Sequence, residues 1–342
     1  MTPETPTAAR PARAPRPEAP GYRSLPAWAA LGAAAFTWPL LFVGGLVTTY
    51  RVGMAVPDWP TTFGINMFLY NMYEASFGVL VEHGHRLYGA AVGVFTIVLM
   101  VDLLAFDRRR WVKTLGVFAL LAVIGQGVLG GIRVQKASTL LAMVHGTTGQ
   151  AFFALMALLV AVTARSWFVR RRPVDPGRAR GLAWMAGLAL MAAYLQVVLG
   201  AWLRHFPSVG ALGLHAGSAL AVIGLTMATH VAVARGRDEW PGLVGPSRAM
   251  ATLLLVQIAL GVGSWLVLRP FDGRPHAVTN LAAFVRTAHQ ANAALFLGAC
   301  VLLLARLAGG AAGVPIAGNA RSASPTAPTR SSQTSPGLEV VA

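Results

Sequence analysis

Cysteine is almost absent from this chain, with Cys300 the only one in 342 residues. No disulfide can form within it, and no thiolate metal site is available. Charge is scarce too: charged residues make up 12% of the sequence against 55% hydrophobic, and the mean hydropathy is +0.59. That is far more apolar than an ordinary soluble domain. Negative charge is scarcest, since 12 Asp and Glu face 28 Lys and Arg, giving a net charge of +16 and a pI near 11.5. In a soluble protein this balance would point to nucleic acid. Here the basic residues lie in tails and short loops between long apolar runs, none long enough to build a folded basic face, and nucleic acid is excluded as a partner.

What the chain has is length without charge. Uncharged stretches run near Ser24–Tyr50, Leu87–Val101, Thr114–Ile132, Ala137–Ala164, Gly181–Leu203, Phe206–Ala234, Ala249–Leu268 and Thr287–Ala305. Most approach or exceed the roughly 20 helical residues that cross a hydrocarbon core. The second reaches full length by including Asp102, whose carboxylate is expected to meet the headgroups. Of the 28 basic residues, 20 fall in the N-terminal tail, the loops at 107–113, 165–180 and 235–248, and the C-terminal end. The positive-inside rule then puts both termini in the cytoplasm, with the chain multi-pass in a cell (inner) membrane and the lipid bilayer as its surroundings. The expected fold is all-α and integral to the membrane, with eight transmembrane helices as two duplicated four-helix halves. The halves are 28–165 and 180–307, between disordered cytoplasmic tails at 1–27 and 308–342.

A repeat supports the duplication. Gln126-Gly127-Val128-Leu129-Gly130 recurs as Gln196-Val197-Val198-Leu199-Gly200 and as Gln257-Ile258-Ala259-Leu260-Gly261, with a degenerate form at Phe42-Val43-Gly44-Gly45. Each is followed one span later by a histidine: His145, His215, His289 and, for the degenerate copy, His85. Gln126 to His145 and Gln196 to His215 are both 19 residues. The topology puts all four histidines at one end of the bundle, in the first or second turn of their helices. Imidazole is a common ligand of metals and haem iron, and ionisable groups in membrane spans are functional candidates. Two pairs are expected, His85 with His145 and His215 with His289; taken singly, each could instead be an interhelical hydrogen-bonding residue. The repeat glycines Gly125, Gly127, Gly130 and Gly131 could let a flat ring approach the backbone, and close helix packing is their more general use; the glutamines read as bonding either a ligand or a neighbouring helix.

Basic residues crowd the same layer. Arg86 adjoins His85, Arg286 stands three before His289, and Arg133 and Arg204 end the repeats that precede His145 and His215. Arginine forks suit carboxylates such as those of a porphyrin, and snorkelling to the interface is the plainer use. Glu82 and His85, at i and i+3, share a helix face, so the carboxylate can approach whatever the imidazole binds. It could move a proton or stabilise a cation there, or serve as an acidic residue at a helix N-terminus. His83, beside it, points to another face. His205 and His276 are expected in loops, and His230 toward the basic end of its span.

The run Gly44-Gly45-Leu46-Val47-Thr48, then Pro57-Asp58-Trp59-Pro60, then Glu82-x-x-His85-Arg86, then three Gln/Gly and His units, resembles the haem A synthase family over roughly residues 28–307. The resemblance implies an oxidoreductase that converts the C8 methyl of haem O to a formyl group, giving haem A for cytochrome oxidase assembly. It implies that Glu82, His85 and His145 form the substrate site, and that His215 and His289 hold a resident haem b, with Arg86 and Arg286 binding cofactor. Haem O, a haem O synthase and an electron donor are the partners implied, and homo-oligomerisation is open. Many members carry a cysteine pair in the first loop; residues 51–83 here contain none. A bis-histidyl dihaem electron carrier is the competing reading, and a cofactor transporter a third. A carboxylate beside one pair only argues against the first, and the gathering of polar groups at one end against the second.

Overall fold

The computed structural model describes residues 19–169, 171–172, 174–267, 277–310 and 313–315. The rest of both expected tails, and the stretch 268–276 with His276, lie outside the described residues. Among those described, eight helices have the length and hydropathy of membrane spans, and there is no strand. They are α1 (Ser24–Thr49), α2 (Phe77–Phe106), α3 (Arg110–Gln135), α4 (Thr139–Thr163), α6 (Pro176–His205), α7 (Val209–Arg235), α8 (Pro241–Val267) and α9 (Asn280–Ala308), with a short α5 (Arg165–Phe168) between α4 and α6.

Side-chain caps mark helix starts. Ser138, Ser208 and Thr279 accept the amides of Leu141, Ala211 and Ala282 at 3.2, 3.1 and 3.2 Å, and Asp175 accepts that of Arg178 at 2.8 Å. Each cap is worth about 1 kcal/mol and fixes the first turn. The caps set histidine depth: His145 and His215 are each the seventh residue of their helix. His85 and His289 are the ninth and tenth of α2 and α9. These two sit in the third turn rather than the first or second, because α2 and α9 begin further back than their apolar runs indicate.

Packing arranges the helices in two rings. α1, α2, α3 and α4 follow one another around the first, closed by α1 against α4; α6, α7, α8 and α9 make the second, closed by α6 against α9. The rings meet where α9 lies on α1 and α4, and α4 on α6. α4 and α9 are accordingly the most buried spans, with Phe153 of α4 in contact distance of Gly298. Small residues let helix backbones approach in lipid, where apolar attraction between helices gives little drive. The large exposed side chains, such as Leu121, Met191, Leu220 and Leu255, suit a hydrocarbon surround.

One expectation is corrected. Asp102 does not face headgroups; it is 4% exposed and paired with Arg23 at 2.9 Å, whose guanidinium also lies over the Phe106 ring. A carboxylate in an apolar end is retained by a partner, not by water.

Candidate functional site

Each of the four histidines leans onto a glycine of the preceding long helix. A Cβ added at Gly44, Gly130, Gly200 or Gly261 would meet Cε1 of His85, His145, His215 or His289 at 2.9, 3.2, 2.8 and 3.1 Å respectively. The repeat glycines therefore seat imidazoles, a role that reading them as helix-packing positions missed. For two of the four the signal was available in the equal step of 15 residues from Gly130 to His145 and from Gly200 to His215. Gly125 and Gly127 face open space, and Gly131 receives the indole of Trp59.

The seated rings face each other in pairs. His85 and His145 have ring centres 6.2 Å apart with planes at 81°, and His215 and His289 have centres 6.3 Å apart with planes at 85°. An imidazole nitrogen lies about 2.0 Å from a transition metal it ligates and about 1.1 Å from its own ring centre, so two rings on opposite sides of one ion stand about 6.2 Å apart. Both pairs have that separation. Among the described residues no third His, Cys, Asp or Glu joins either pair in a metal-binding cluster. The arrangement thus fits a metal whose remaining positions come from another ligand. Space exists beside it: Gly213, Leu214, Ala216 and Gly217 around His215 are all exposed, and a Cβ at Gly213 or Gly217 would touch nothing.

Below three of the histidines runs a second repeated contact. Gln126 donates to Thr148 at 2.6 Å, Ser218 donates to Gln196 at 2.6 Å, and Asn292 donates to Gln257 at 2.7 Å. In each, the glutamine stands four before the seating glycine and its partner three after the histidine, one helical turn further from the histidine end of the bundle. Gln196 also donates to the His215 carbonyl at 2.6 Å. His289 Nδ1 lies 3.2 Å from the Gln257 carbonyl, which can only accept, so that nitrogen carries the hydrogen and Nε2 the lone pair. The glutamines are cross-helix clamps.

The loop between α1 and α2 reaches the helices of the first pair, with Val56 on Glu82 of α2 and Trp59 on Gly131 of α3, beside the seat of His145. Its hub is Asp58, which accepts the Thr61 hydroxyl at 2.5 Å and the amides of Phe63 and Gly64 at 2.8 and 2.9 Å, closing a turn in which Phe63 and Gly64 have φ of 51° and 77°. Slight burial works to raise the Asp58 carboxyl, but the Gly64 amide, the Thr61 hydroxyl and the Phe63 amide together hold it at about 2. A depressed carboxyl contributes stability that is whole above the ordinary value near 4 and is lost as pH falls through the folded value. The loop is therefore expected to resist pepsin near pH 4 and to be cut progressively as pH approaches about 2. Asp58→Asn should remove that pH step; peptide mapping of the 51–76 segment checks it.

Glu82 and Arg86 tie this loop to α2. Glu82, 2% exposed, accepts the Val56 amide at 2.9 Å and pairs with Arg86 at 3.2 Å. Arg86 also donates to the carbonyls of Asp58, Thr61 and Val56 at 2.7, 3.0 and 2.9 Å. Both of its terminal nitrogens are committed to these four acceptors, so Arg86 anchors the loop to α2. His83 bonds Thr62 at 3.0 Å and lies against Tyr70, on a different face from His85 as expected. Glu82 and Asp102 are the only carboxylates inside the eight spans, and Glu82 alone is at the histidine end.

Between the rings sits a cation that sequence reading placed only at the edge of the layer. Arg204 donates to Gln290 Oε1 at 2.8 Å, to the Gly45 carbonyl at 2.7 Å and to Thr49 at 2.5 Å, joining α6 to α9 and α1. Its contacts flank both histidine pairs, since Gly45 follows Gly44 and Gln290 follows His289. Among the described residues Arg133 and Arg286 make no side-chain hydrogen bond or ion pair, as is true of Arg51 and Lys136 at the same end, and Arg133 lies in the field of the Glu82 carboxylate. His205 is the last residue of α6 rather than a loop residue. His230 bonds Ser247 at 2.8 Å near the basic end, as expected.

Residues 27–218 match the family described as "Cytochrome oxidase assembly protein". The chain belongs to that family. The match takes in Glu82, His85, His145 and His215, while His289 lies beyond it and joins the set by geometry, through a ring separation equal to that of the first pair within 0.1 Å. The chain is also 34% identical over 129 residues to a protein named "Heme A synthase" from Beijerinckia indica subsp. indica. That alignment covers 35% of this chain and 34% of the relative, so it spans about a third of the relative's own length.

Proposed function

We propose that this protein is a haem A synthase, an oxidoreductase that converts the C8 methyl of haem O to a formyl group by successive hydroxylation and loss of water. The observation that carries the reading is the ring separation of the two histidine pairs, 6.2 and 6.3 Å, with no further protein ligand at either. His85 with His145, and His215 with His289, would each hold a haem, which would bring the iron and its remaining ligands. Family membership and the named relative support the same reading.

In this proposal the helices 28–165 hold haem O, the substrate, between His85 and His145, and the helices 180–307 hold a resident haem b between His215 and His289. The resident haem supplies one-electron redox chemistry when bound. The chain's own residues do the rest. The glycine seats fix each imidazole across the bundle, and the clamps keep the helix pairs in register. Arg133, whose charge acts on His85 and His145, and Arg286, one turn before His289, would neutralise propionates. Glu82 lies one turn before His85, where its carboxylate can stabilise positive charge or accept a proton during oxidation of the substrate. The loop on Asp58, pinned by Arg86, reaches the helices of that pair. Arg204 links the two pairs through Gly45 and Gln290. The basic loops, by the positive-inside rule, belong to the cytoplasmic side of an inner membrane, so the histidine layer faces outward. A haem O synthase delivering substrate and an electron donor are the partners this activity requires.

The near-equality of the two pairs favours one competing function, a dihaem electron carrier. Expression of the full chain with a source of haem O, followed by pigment extraction, separates them. Haem A is expected from the wild type and is expected to vanish in His145→Ala. Unmodified haem alone from a reduced, haem-loaded preparation would sink the synthase reading and leave the carrier.

A further inference from the structure

His83 stands at the head of a stripe of α2 that faces away from the bundle. Val94, Ile97 and Val101 follow it by eleven, fourteen and eighteen residues, about three, four and five whole turns, so the four share one face of the helix. The three aliphatic side chains are exposed, and α2 packs on α1 and α3, with His85, on the opposite face, turned inward to His145. His83 itself is wholly buried, because the first loop comes down over it: Thr62 bonds its Nδ1 at 3.0 Å and the Tyr70 ring centre lies 5.2 Å from its own. Residues 62–70 therefore lie outside the first ring, in the place that lipid takes further along the same stripe. Their depth follows from the helix. Leu87–Phe106 is 20 residues, about 30 Å, which matches a hydrocarbon core. His83 is one turn beyond Leu87, about 6 Å, within a headgroup layer of about 5–7 Å. The outer surface of the loop suits that layer. Leu69 and Tyr73 are 78% and 100% exposed, with Phe63, Ile65 and Phe68 exposed beside them. From Arg51 to Ser76 the only charged residues are Arg51, Asp58 and Glu74, and Asp58 is spent inside its own turn. Asn66 and Asn71 are likewise turned onto the amides of Phe68 and Tyr73, at 2.9 and 3.0 Å.

We propose that residues 62–73 of the first loop lie in the headgroup layer of the bilayer on the histidine side, with Phe63, Phe68, Leu69 and Tyr73 as their lipid contacts. An exposed apolar patch of this kind marks a membrane or a protein contact. Lipid is the occupant because the patch continues the lipid-facing stripe of α2 and sits at headgroup depth, where aromatic residues concentrate and rings with an apolar body and a polar tip, such as Tyr73, are at home. His83 is then the seat on which the loop rests: an imidazole at the head of a lipid-facing stripe is given a hydrogen-bond partner and covered. The proposal is independent of what the histidine pairs hold.

The test reads depth. The full chain, with Cys300→Ala so that an added thiol is unique, is placed one copy per lipid nanodisc and spin-labelled at Phe68→Cys, at Leu69→Cys or, as a reference in water, at Asp238→Cys, where the native side chain is 98% exposed. Collisions with dissolved oxygen, which concentrates in lipid, are compared with those of a water-soluble nickel chelate. Oxygen is expected to exceed nickel at Phe68 and Leu69, and nickel to exceed oxygen at Asp238. A second arm needs no label: Phe68→Asp with Leu69→Asp should lift the loop and raise protease cleavage within residues 63–73 roughly tenfold in the discs, the factor that about 1.4 kcal/mol of lost apolar burial confers. Nickel-dominated collisions at both loop positions, or unchanged cleavage in the Asp variant, overturn the proposal. Each disc holds one copy and no other protein, so protection there is protection by lipid. A loop open in discs but covered in native membranes would overturn the proposal in favour of a protein contact.

Discussion

Replacing Gly200 with leucine is expected to empty the His215–His289 pair while the bundle still folds. Leucine favours a helix over glycine by nearly 1 kcal/mol, so α6 itself is not threatened. The damage is local: even a Cβ at this position would stand 2.8 Å from His215 Cε1, closer than real Cβ atoms approach, and a branched side chain drives the ring off its axis. Once displaced, His215 no longer faces His289 at the 6.3 Å that a shared metal requires. Haem content should fall by about half, with the loss confined to the second pair. Gly187→Ala, at a position where a Cβ meets nothing, should keep wild-type content. Pigment quantification per folded chain reads both. Full haem content in Gly200→Leu would mean that the seat does not position the ligand.

Glu82→Ala is expected to cost about 3 kcal/mol and to release the first loop, because it strips the Arg86 guanidinium and the Val56 amide of their buried acceptor. Glu82→Gln separates anchoring from chemistry. An amide oxygen can still accept the Val56 amide and preserve volume, so the loop should stay protected from protease, but the negative charge is gone. If the carboxylate serves the oxidation, turnover should drop about 100-fold or more in Glu82→Gln with haem content and loop protection retained. Turnover matching the wild type would reduce Glu82 to an anchor. The two substitutions thus measure two functions that one carboxylate combines.

The fold was legible because lipid imposes simple arithmetic. Long apolar runs gave eight spans, while the starts of the histidine helices, capped at Ser138, Ser208 and Thr279, emerged only in the structure. The pairing of the histidines was legible from the repeat, in which each glycine-bearing segment is followed one span later by a histidine near the same end of the bundle. Partners of polar side chains were not. Arg86 looks like a free cation in sequence because three of its four acceptors are backbone carbonyls of a loop 25–30 residues away, the fourth being the Glu82 carboxylate one turn earlier on α2. Asp102 looks like a surface carboxylate because Arg23, its partner, is 79 residues distant. Arg204 shows nothing of its role between the rings, since Gly45, Thr49 and Gln290 lie on helices from opposite ends of the chain.

The sequence by itself determined that this chain lives in a membrane, that it crosses eight times, and that four imidazoles share one end. These follow from composition and period, which are local and need no neighbour. Only the tertiary structure decided that each imidazole rests on a glycine, that the three repeat glutamines bond across to the histidine helices, and that Glu82 and Arg86 tie the first loop to α2. Those properties depend on which atoms of distant segments come within hydrogen-bonding or van der Waals distance, and that is set by how helices pack.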